Sequence, residues 1–484
     1  MLLDRVKPLQ RIIAEGSDES QGLKRAMGPG ALIAMGIGAI IGTGIFVLTG
    51  VAAATRAGPA LTLSFVVAGI VSALAALCYS EVASSIPISG SAYTYTYATL
   101  GELMAWLVGW DLILEYAVGA STVAVGWSGY FNSFLQTAFN VAIPVQFQHG
   151  PFDVGPTGAP LHGVANLPAA AIIILITLLL IKGTRESSLV NSIIVTIKVA
   201  IVIFFIAIGL DHINPANWHP YFPYGWPGVF SGAAFIFFAY IGFDAVSTTA
   251  EEAKQPQRDL PIGILGSLAI CTVLYIIVVI VLTGMVPYTS LNVSSPVAYA
   301  AIQAGLRWAG FIISVGAICG LTTVLLTMLF GQSRIFFAMS RDGLVPKAIA
   351  WVHPVWRTPV VSTVIFGVLI ALAAAFEPIG ILGSITNMGT LFAFILVSIA
   401  LIVLRKRHPD MKRGFHVPAG PFVAVLAAVS SLFLIIFLGY RAPLWLGIPA
   451  PWLAFVVWIA IGIVIYVGYG RAKSALARDG AQAK

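Results

Sequence analysis

The sequence predicts an all-α integral membrane protein of twelve transmembrane helices. Spans 1–5 and 6–10 form a 5+5 inverted repeat, spans 1 and 6 are discontinuous, and spans 11 and 12 stand outside the repeat. Three observations predict this. Of 484 residues, 59% are hydrophobic and 9% charged, with a mean hydropathy of +0.95, whereas soluble domains carry about 25% charged residues. The apolar residues fall in twelve continuous runs, each near the roughly 20 residues that cross a bilayer as a helix. The first and sixth runs are interrupted by glycine, and the sixth also by an aspartate. A β-barrel would instead alternate apolar and polar residues in segments of about ten.

In chain order the runs are 29–53, 60–83, 102–134, 167–182, 188–210, 229–250, 261–285, 310–334, 359–376, 379–404, 420–440 and 450–470. The third is long enough to extend beyond the bilayer, and the fourth is short. The chain therefore divides into a tail (1–28), a first repeat (29–210), a second repeat (229–404), two accessory helices (420–470) and a second tail (471–484). Five spans per repeat make equivalent helices run in opposite directions, and paired interruptions at corresponding positions are the sequence pointer to such a repeat. The connection "PISGSAYTYTYATLGE" between spans 2 and 3 reads as an amphipathic interfacial helix.

Charge sets the orientation. Twenty-two of the 26 Lys and Arg fall in the tails or in the connections that an even number of spans puts on one side, including Lys7, Lys182, Lys254 and "RKRHPDMKR". Arg56, Arg307 and Arg441 fall on the other side. By the positive-inside rule both tails are cytoplasmic. The net charge of +7 thus reports topology, and no nucleic-acid partner is called for. The polar first 28 residues do not read as a cleavable signal. Three cysteines within spans give no disulfide or zinc spacing, and there is no HExxH or P-loop, so neither a metal site nor ATP-driven pumping is expected.

Span 1 carries "GIGAIIGTGIF", four glycines in nine residues, each costing a helix interior about 1 kcal/mol relative to alanine. If the helix unwinds around Ile41-Gly42-Thr43, the half-helix beginning near Gly44 offers free N–H groups and a positive dipole end to a carboxylate. The carbonyls near Ile40 and Ile41 then suit an ammonium group. Span 6, "FFAYIGFDAVS", unwinds around Phe238 to Ile241 and adds further carbonyls. Together the breaks suit a zwitterion, and exposed backbone at membrane depth is tolerated where it lines a cavity. For span 1 alone, close packing through the Gly38–Gly42 GxxxG is an equal reading. Met328 and the aromatic residues around the second break suggest an apolar enclosure suited to neutral side chains.

Four ionisable residues lie within spans: Asp111, Glu115, Lys198 and Asp244. Such residues are costly and point to function. Lys198, ten residues into span 5, is a candidate for proton exchange, with a purely structural lysine as the alternative. Asp111 and Glu115 share one face of span 3 and are candidate partners for it. Asp244 is placed to cap the segment after the second break. Glu81, Glu251 and Glu252 read as solvated or gating residues. Thr322 and Thr323 could hold an ion or a water, or simply back-bond to their own helix.

Several motifs carry a resemblance: "MGIGAIIGTGIFVLTG", "SGSAYTYTYATLGELMAWLVGWDLILEY", "FFAYIGFDAVSTTAEE", "PQRDLPIGI" and "GQSRIFFAMSRDGLVP". From about residue 25 to 470 the chain resembles the amino acid–polyamine–organocation superfamily, and within it the bacterial members of the cationic amino acid transporter family. The resemblance implies a LeuT-like inverted-repeat fold and import of amino acids by alternating access. It implies substrate contacts at Ile40, Ile41, Thr43 and Gly44 in span 1, with Gly42 between them, and at Phe238, Ala239 and Ile241 in span 6. Lys198 matches a lysine that stands in for a sodium ion in proton-coupled members. With Lys198, Glu115 and Asp244 as coupling or gating residues, the expectation is symport of an amino acid with protons. No cofactor is expected, only the proton gradient. Eukaryotic members of that family usually have fourteen spans, so with twelve the resemblance implies the bilayer of a bacterial inner (plasma) membrane as surrounding, with a sterol or a small single-span peptide as candidate surface partners. The alternatives are an exchanger or uniporter for cationic amino acids and, from another class, a non-transporting sensor, for which the tails are short. No nucleophile constellation suggests an enzyme.

Overall fold

A computed structural model describes residues 6–8, 27–88, 91–155, 159–182, 188–346, 348–349, 351–356 and 358–477. Of the basic residues used for orientation, Arg5, Arg11, Lys24, Arg25, Arg185, Lys347, Arg357, Arg478 and Lys484 lie outside the described residues.

The chain is almost entirely helical. α1 (Pro29–Ile40) opens on a proline, whose missing N–H would have no partner in the first turn anyway. Winding resumes at Gly44 and runs through π and α turns as α2 (44–57) to Gly58, whose φ of 64° turns the chain. Then follow α3 (Leu61–Ser85), α4 (Ser91–Thr99), α5 (Glu102–Phe139), α6 (Leu167–Lys182), α7 (Ser188–Leu210) and α8 (Gly225–Ile236). The remainder are α9 (Pro256–Met285), α10 (Pro296–Gln303), α11 (Arg307–Arg341), α12 (Val360–Phe376), α13 (Ile379–Arg407), α14 (Gly420–Leu438) and α15 (Ala450–Ile465). Among the described residues nine helical stretches are long and apolar enough to cross a membrane, and α1, α6 and α12 are shorter apolar helices.

α5 is the central post, packed on α11 and α13, while α9 packs on α1 and α3. α6, α14 and α15 present apolar side chains outward, among them Leu175, Phe422 and Val464, as helices at a lipid boundary do. Both tails meet at one end of the bundle. There Lys7 Nζ lies 3.2 Å from Asp342 Oδ1, and the Ala475 N–H donates to the Asp342 carbonyl at 2.9 Å. Tyr93 donates its hydroxyl to Asp342 Oδ2 at 2.7 Å. Burial and the neighbouring Asp342 push the Tyr93 phenol well above its usual range.

Two expectations need correction. α4 is not a one-sided interfacial helix. All its residues but Thr94 are buried, because its tyrosines pack inward, Tyr95 edge-to-face on Tyr79 at 6.4 Å. Glu81 is not solvated. It is fully buried and takes Arg405 Nε on Oε1 at 2.8 Å and the Val417 N–H on Oε2 at 2.7 Å, with Arg413 3.5 Å away. The all-helical class stands, with one small non-helical element among the described residues. Leu444–Trp445 pairs with Ile448–Pro449 in a tiny antiparallel hairpin. Leu446 and Gly447 both take positive φ there, as a two-residue turn of the favoured hairpin hand requires.

Candidate functional site

α1 ends where Ile41 turns extended (φ −73°, ψ 101°), its N–H making the last bond, to Ile37. The next backbone bond runs from Phe46 to Gly42 at 3.3 Å. Carbonyls at the end of α1 therefore lack a following turn, and other elements supply donors. Lys198 Nζ of α7 donates to Gly38 O at 2.9 Å, and Tyr275 Oη of α9 donates to Ile40 O at 2.9 Å.

The second break follows α8. A 3-10 turn, Phe237–Tyr240, leads to extended Ile241 (φ −59°, ψ 134°) and to Gly242 at φ 117°. A 3-10 segment, Asp244–Thr249, follows. Only glycine suits position 242. The φ is hostile to other residues, and a Cβ would stand 2.8 Å from the Ala39 carbonyl. Asp244 Oδ1 accepts the Gly242 N–H, two residues upstream, at 3.3 Å. Asn387 of α13 donates to the carbonyls of Ala234 and Phe235 at 2.9 and 2.8 Å, tying down the end of α8.

The two breaks touch. A Cβ on Gly44 would lie 2.3 Å from Ala239 Cα, so backbone meets backbone. Thr43, between the half-helices, is fully buried and its Oγ1 has no hydrogen-bond partner among the described residues. A hydroxyl left so costs about 1–3 kcal/mol, which makes the spot receptive to a polar ligand. Ile40, Ile41, Gly42, Thr43, Gly44, Phe238, Ala239 and Ile241 thus come together in one buried cluster. Met328 sits elsewhere, half-buried against Gly119 of α5, and the α11 side chain that reaches Gly42 is Val324, one turn earlier.

Lys198 is 2% exposed, its stem resting on Gly320 of α11. Among the described residues its hydrogen bond goes to the Gly38 carbonyl, and no ion pair joins it to Asp111 or Glu115. Asp111 is fully buried against Gly389, and neither of its oxygens has a donor among the described residues. Glu115 interacts electrostatically with Asp244 and Asp111, so the acids form their own group apart from the lysine. Thr322 and Thr323 back-bond to Ile318 and Gly320 at 2.7 and 2.8 Å. Among the described residues no cluster could hold a metal ion. Sequence reasoning missed Tyr275, Asn387 and Val324. The usable signal for the first two was a polar group inside an apolar run, which has to find a partner there.

The amino acid permease family model matches residues 28–464. The chain is 50% identical to the branched-chain amino acid permease BcaP of Bacillus subtilis (strain 168) over 473 residues, 98% of both chains. It is 49% identical to the methylthioribose transporter of the same organism over 474 residues, 98% of this chain and 99% of that one. It is 40% identical to the human (Homo sapiens) cationic amino acid transporter 4 over 419 residues, 85% of this chain and 64% of that protein.

Proposed function

The chain belongs to the amino acid permease family, and from that premise we propose that it moves amino acids with uncharged, apolar side chains into the cell by alternating access. It is a multi-pass membrane transporter and not an enzyme. The carrying observation is the junction of the two breaks, with the unpartnered Thr43 hydroxyl between them. The substrate carboxylate takes the first N–H groups of α2, the ammonium takes carbonyls at the ends of α1 and of the turn after α8, and Thr43 Oγ1 bonds the headgroup. The chain crosses the membrane twelve times as two inverted five-helix repeats, 29–210 and 229–404. The end where the tails meet faces the cytoplasm, in keeping with the basic residues gathered there.

Transport is coupled to protons through Lys198. While protonated, Nζ gives Gly38 O a charge-assisted bond that holds α1 against α7. With the proton gone that bond weakens and α1 is free to move. The test is leucine uptake into proteoliposomes made alkaline inside, wild type against Lys198→Ala, with methylthioribose as competitor. Gradient-dependent uptake that the variant loses supports the reading. Gradient-independent uptake stimulated by preloaded arginine would replace it with the exchange reading that the similarity to a cationic transporter favours. Uptake of methylthioribose without leucine would overturn the substrate class.

A further inference from the structure

A cavity of about 220 Å³ opens at the end of the bundle away from the tails. Its floor is apolar, formed by Val47 and Val51 of α2 with Val125 of α5. Val47 stands one turn above Thr43, and Gly126 of α5 touches both, so a single helical turn separates the cavity from the helix breaks. Its roof comes from the described part of the 141–166 connection, through residues such as His149, Asp153, Leu161 and Asn166. That connection is fastened by the Asn166 N–H on Ala375 O at 2.8 Å and by Ser128 Oγ on Asn166 Oδ1 at 2.7 Å.

The ionisable side chains in this lining are His149 and Asp153. His149 Nδ1 lies 3.2 Å from Asp153 Oδ2, and the Gly150 N–H donates to the same oxygen at 3.0 Å. Both bonds fall on Oδ2, so Oδ1 has no donor among the described residues. Glu377 lies within electrostatic reach. Partial burial and the charge of Asp153 push its carboxyl up. The 141–166 connection contains no Lys or Arg. Arg56 and Arg307 are engaged elsewhere, on Ser231 and on Gln136 O. The cavity thus joins a carboxylate oxygen that has no donor among the described residues to an apolar floor.

We propose that this cavity is an outer holding site for amines with an apolar tail: Asp153 Oδ1 accepts from the ammonium group and the valine floor takes the tail. The proposal rests on the reading above that this end faces outward, and it names the chemistry by which an apolar amino acid is gathered before the breaks receive it. An ammonium is a compact cation with three donors, and a recessed carboxylate with an open oxygen accepts one of them.

The test uses the full-length protein with Cys319→Ser and Val51→Cys, labelled from outside with 2-aminoethyl or 2-sulfonatoethyl methanethiosulfonate. The reaction of both reagents with 2-mercaptoethanol in solution serves as the reference ratio. The cationic reagent is expected to gain roughly tenfold over the anionic one at position 51 relative to the reference. Asp153→Asn should abolish the gain and His149→Gln should keep it. 3-Methylbutylamine should slow labelling and 4-methylpentanoate should not. An unchanged ratio, equal protection by both analogues, or no labelling by either reagent overturns the proposal. A His149–Asp153 pair that only staples the roof would give the first of these. Should Asp153→Asn fail to fold, the contrast between the two analogues on the Val51→Cys protein decides. None of these readouts needs leucine uptake, so failure here and failure of the transport reading are told apart.

Discussion

Gly42 and Gly44 are two residues apart in one glycine-rich motif, yet the structure assigns them opposite tolerances. A Cβ at Gly42 would stand 3.5 Å from Val324 Cγ2, an ordinary contact, whereas a Cβ at Gly44 would stand 2.3 Å from Ala239 Cα. Nothing flexible can yield at position 44, because the obstacle is main chain. Reaching ordinary contact parts the two breaks by roughly 1 Å, and overpacking of that kind costs about 1–3 kcal/mol. A shift of that size at a site that must grip both ends of a zwitterion costs on the order of 100-fold in rate. Gly44→Ala should therefore lower leucine uptake by about two orders of magnitude in proteoliposomes, at matched protein insertion. Gly42→Ala should stay within a few-fold of wild type. Trimming Ala239 to glycine in the Gly44→Ala background should rescue little, since the Cα that obstructs remains. Wild-type uptake by Gly44→Ala would refute the reasoning, because the junction of the breaks would then not be set by this approach.

Tyr275→Phe removes the hydroxyl from Ile40 O. At about 0.5–1.5 kcal/mol for one hydrogen bond, leucine uptake should show a KM raised several-fold with kcat changed less. Glu81→Gln leaves Arg405 and Arg413 facing an uncharged amide in a fully buried place. Breaking such a pair costs about 3–5 kcal/mol, so the melting temperature in detergent should fall, and replacing Glu81 and Arg405 together by methionine should recover part of the loss. Asp342→Asn loosens Lys7 and Tyr93 together. Hydrogen exchange at the amides of Ser91–Thr99 should accelerate by tenfold or more, as removal of about 1–3 kcal/mol implies.

The helices were legible in the sequence because a bilayer demands long apolar runs, and the breaks because glycine and aspartate are conspicuous inside them. What holds the breaks was not legible. Tyr275 lies 235 positions from Ile40, and Asn387 lies 153 from Ala234. Side-chain donors that reach carbonyls across such distances leave no local pattern. Glu81 was misread for a related reason. Its place near a helix end suggests water, but the segment after α13 folds back over it, bringing the Val417 N–H to its carboxylate. The tyrosines of α4 were misread because their hydroxyls suggest an interface, whereas their rings pack on one another and on Tyr79.

On the proposed cycle, opening the tail end moves α1, and its packing suggests which attachment yields. On one side α1 is locked into α9. A Cβ on Gly36 would meet Ser267 Oγ at 2.3 Å, and one on Gly263 would meet Leu32 Cβ at 2.7 Å. On the other side it is joined to α7 by the hydrogen bond from Lys198 and by Gly38 seated on Val195. Close packing repeated along two helices is collectively strong, whereas one charge-assisted bond is worth about 1.5–3 kcal/mol. α1 should therefore travel with α9 and part from α7, which puts the titratable amine at the joint that opens. A Cβ on Gly38 would lie 3.7 Å from Val195 Cβ, within the roughly 3.5–4.5 Å that a disulfide spans. Gly38→Cys with Val195→Cys should thus cross-link on oxidation and arrest uptake, and reductant should restore it. Full uptake with the bond formed would show that α1 and α7 stay together through the cycle, and Lys198 would then be a structural strut.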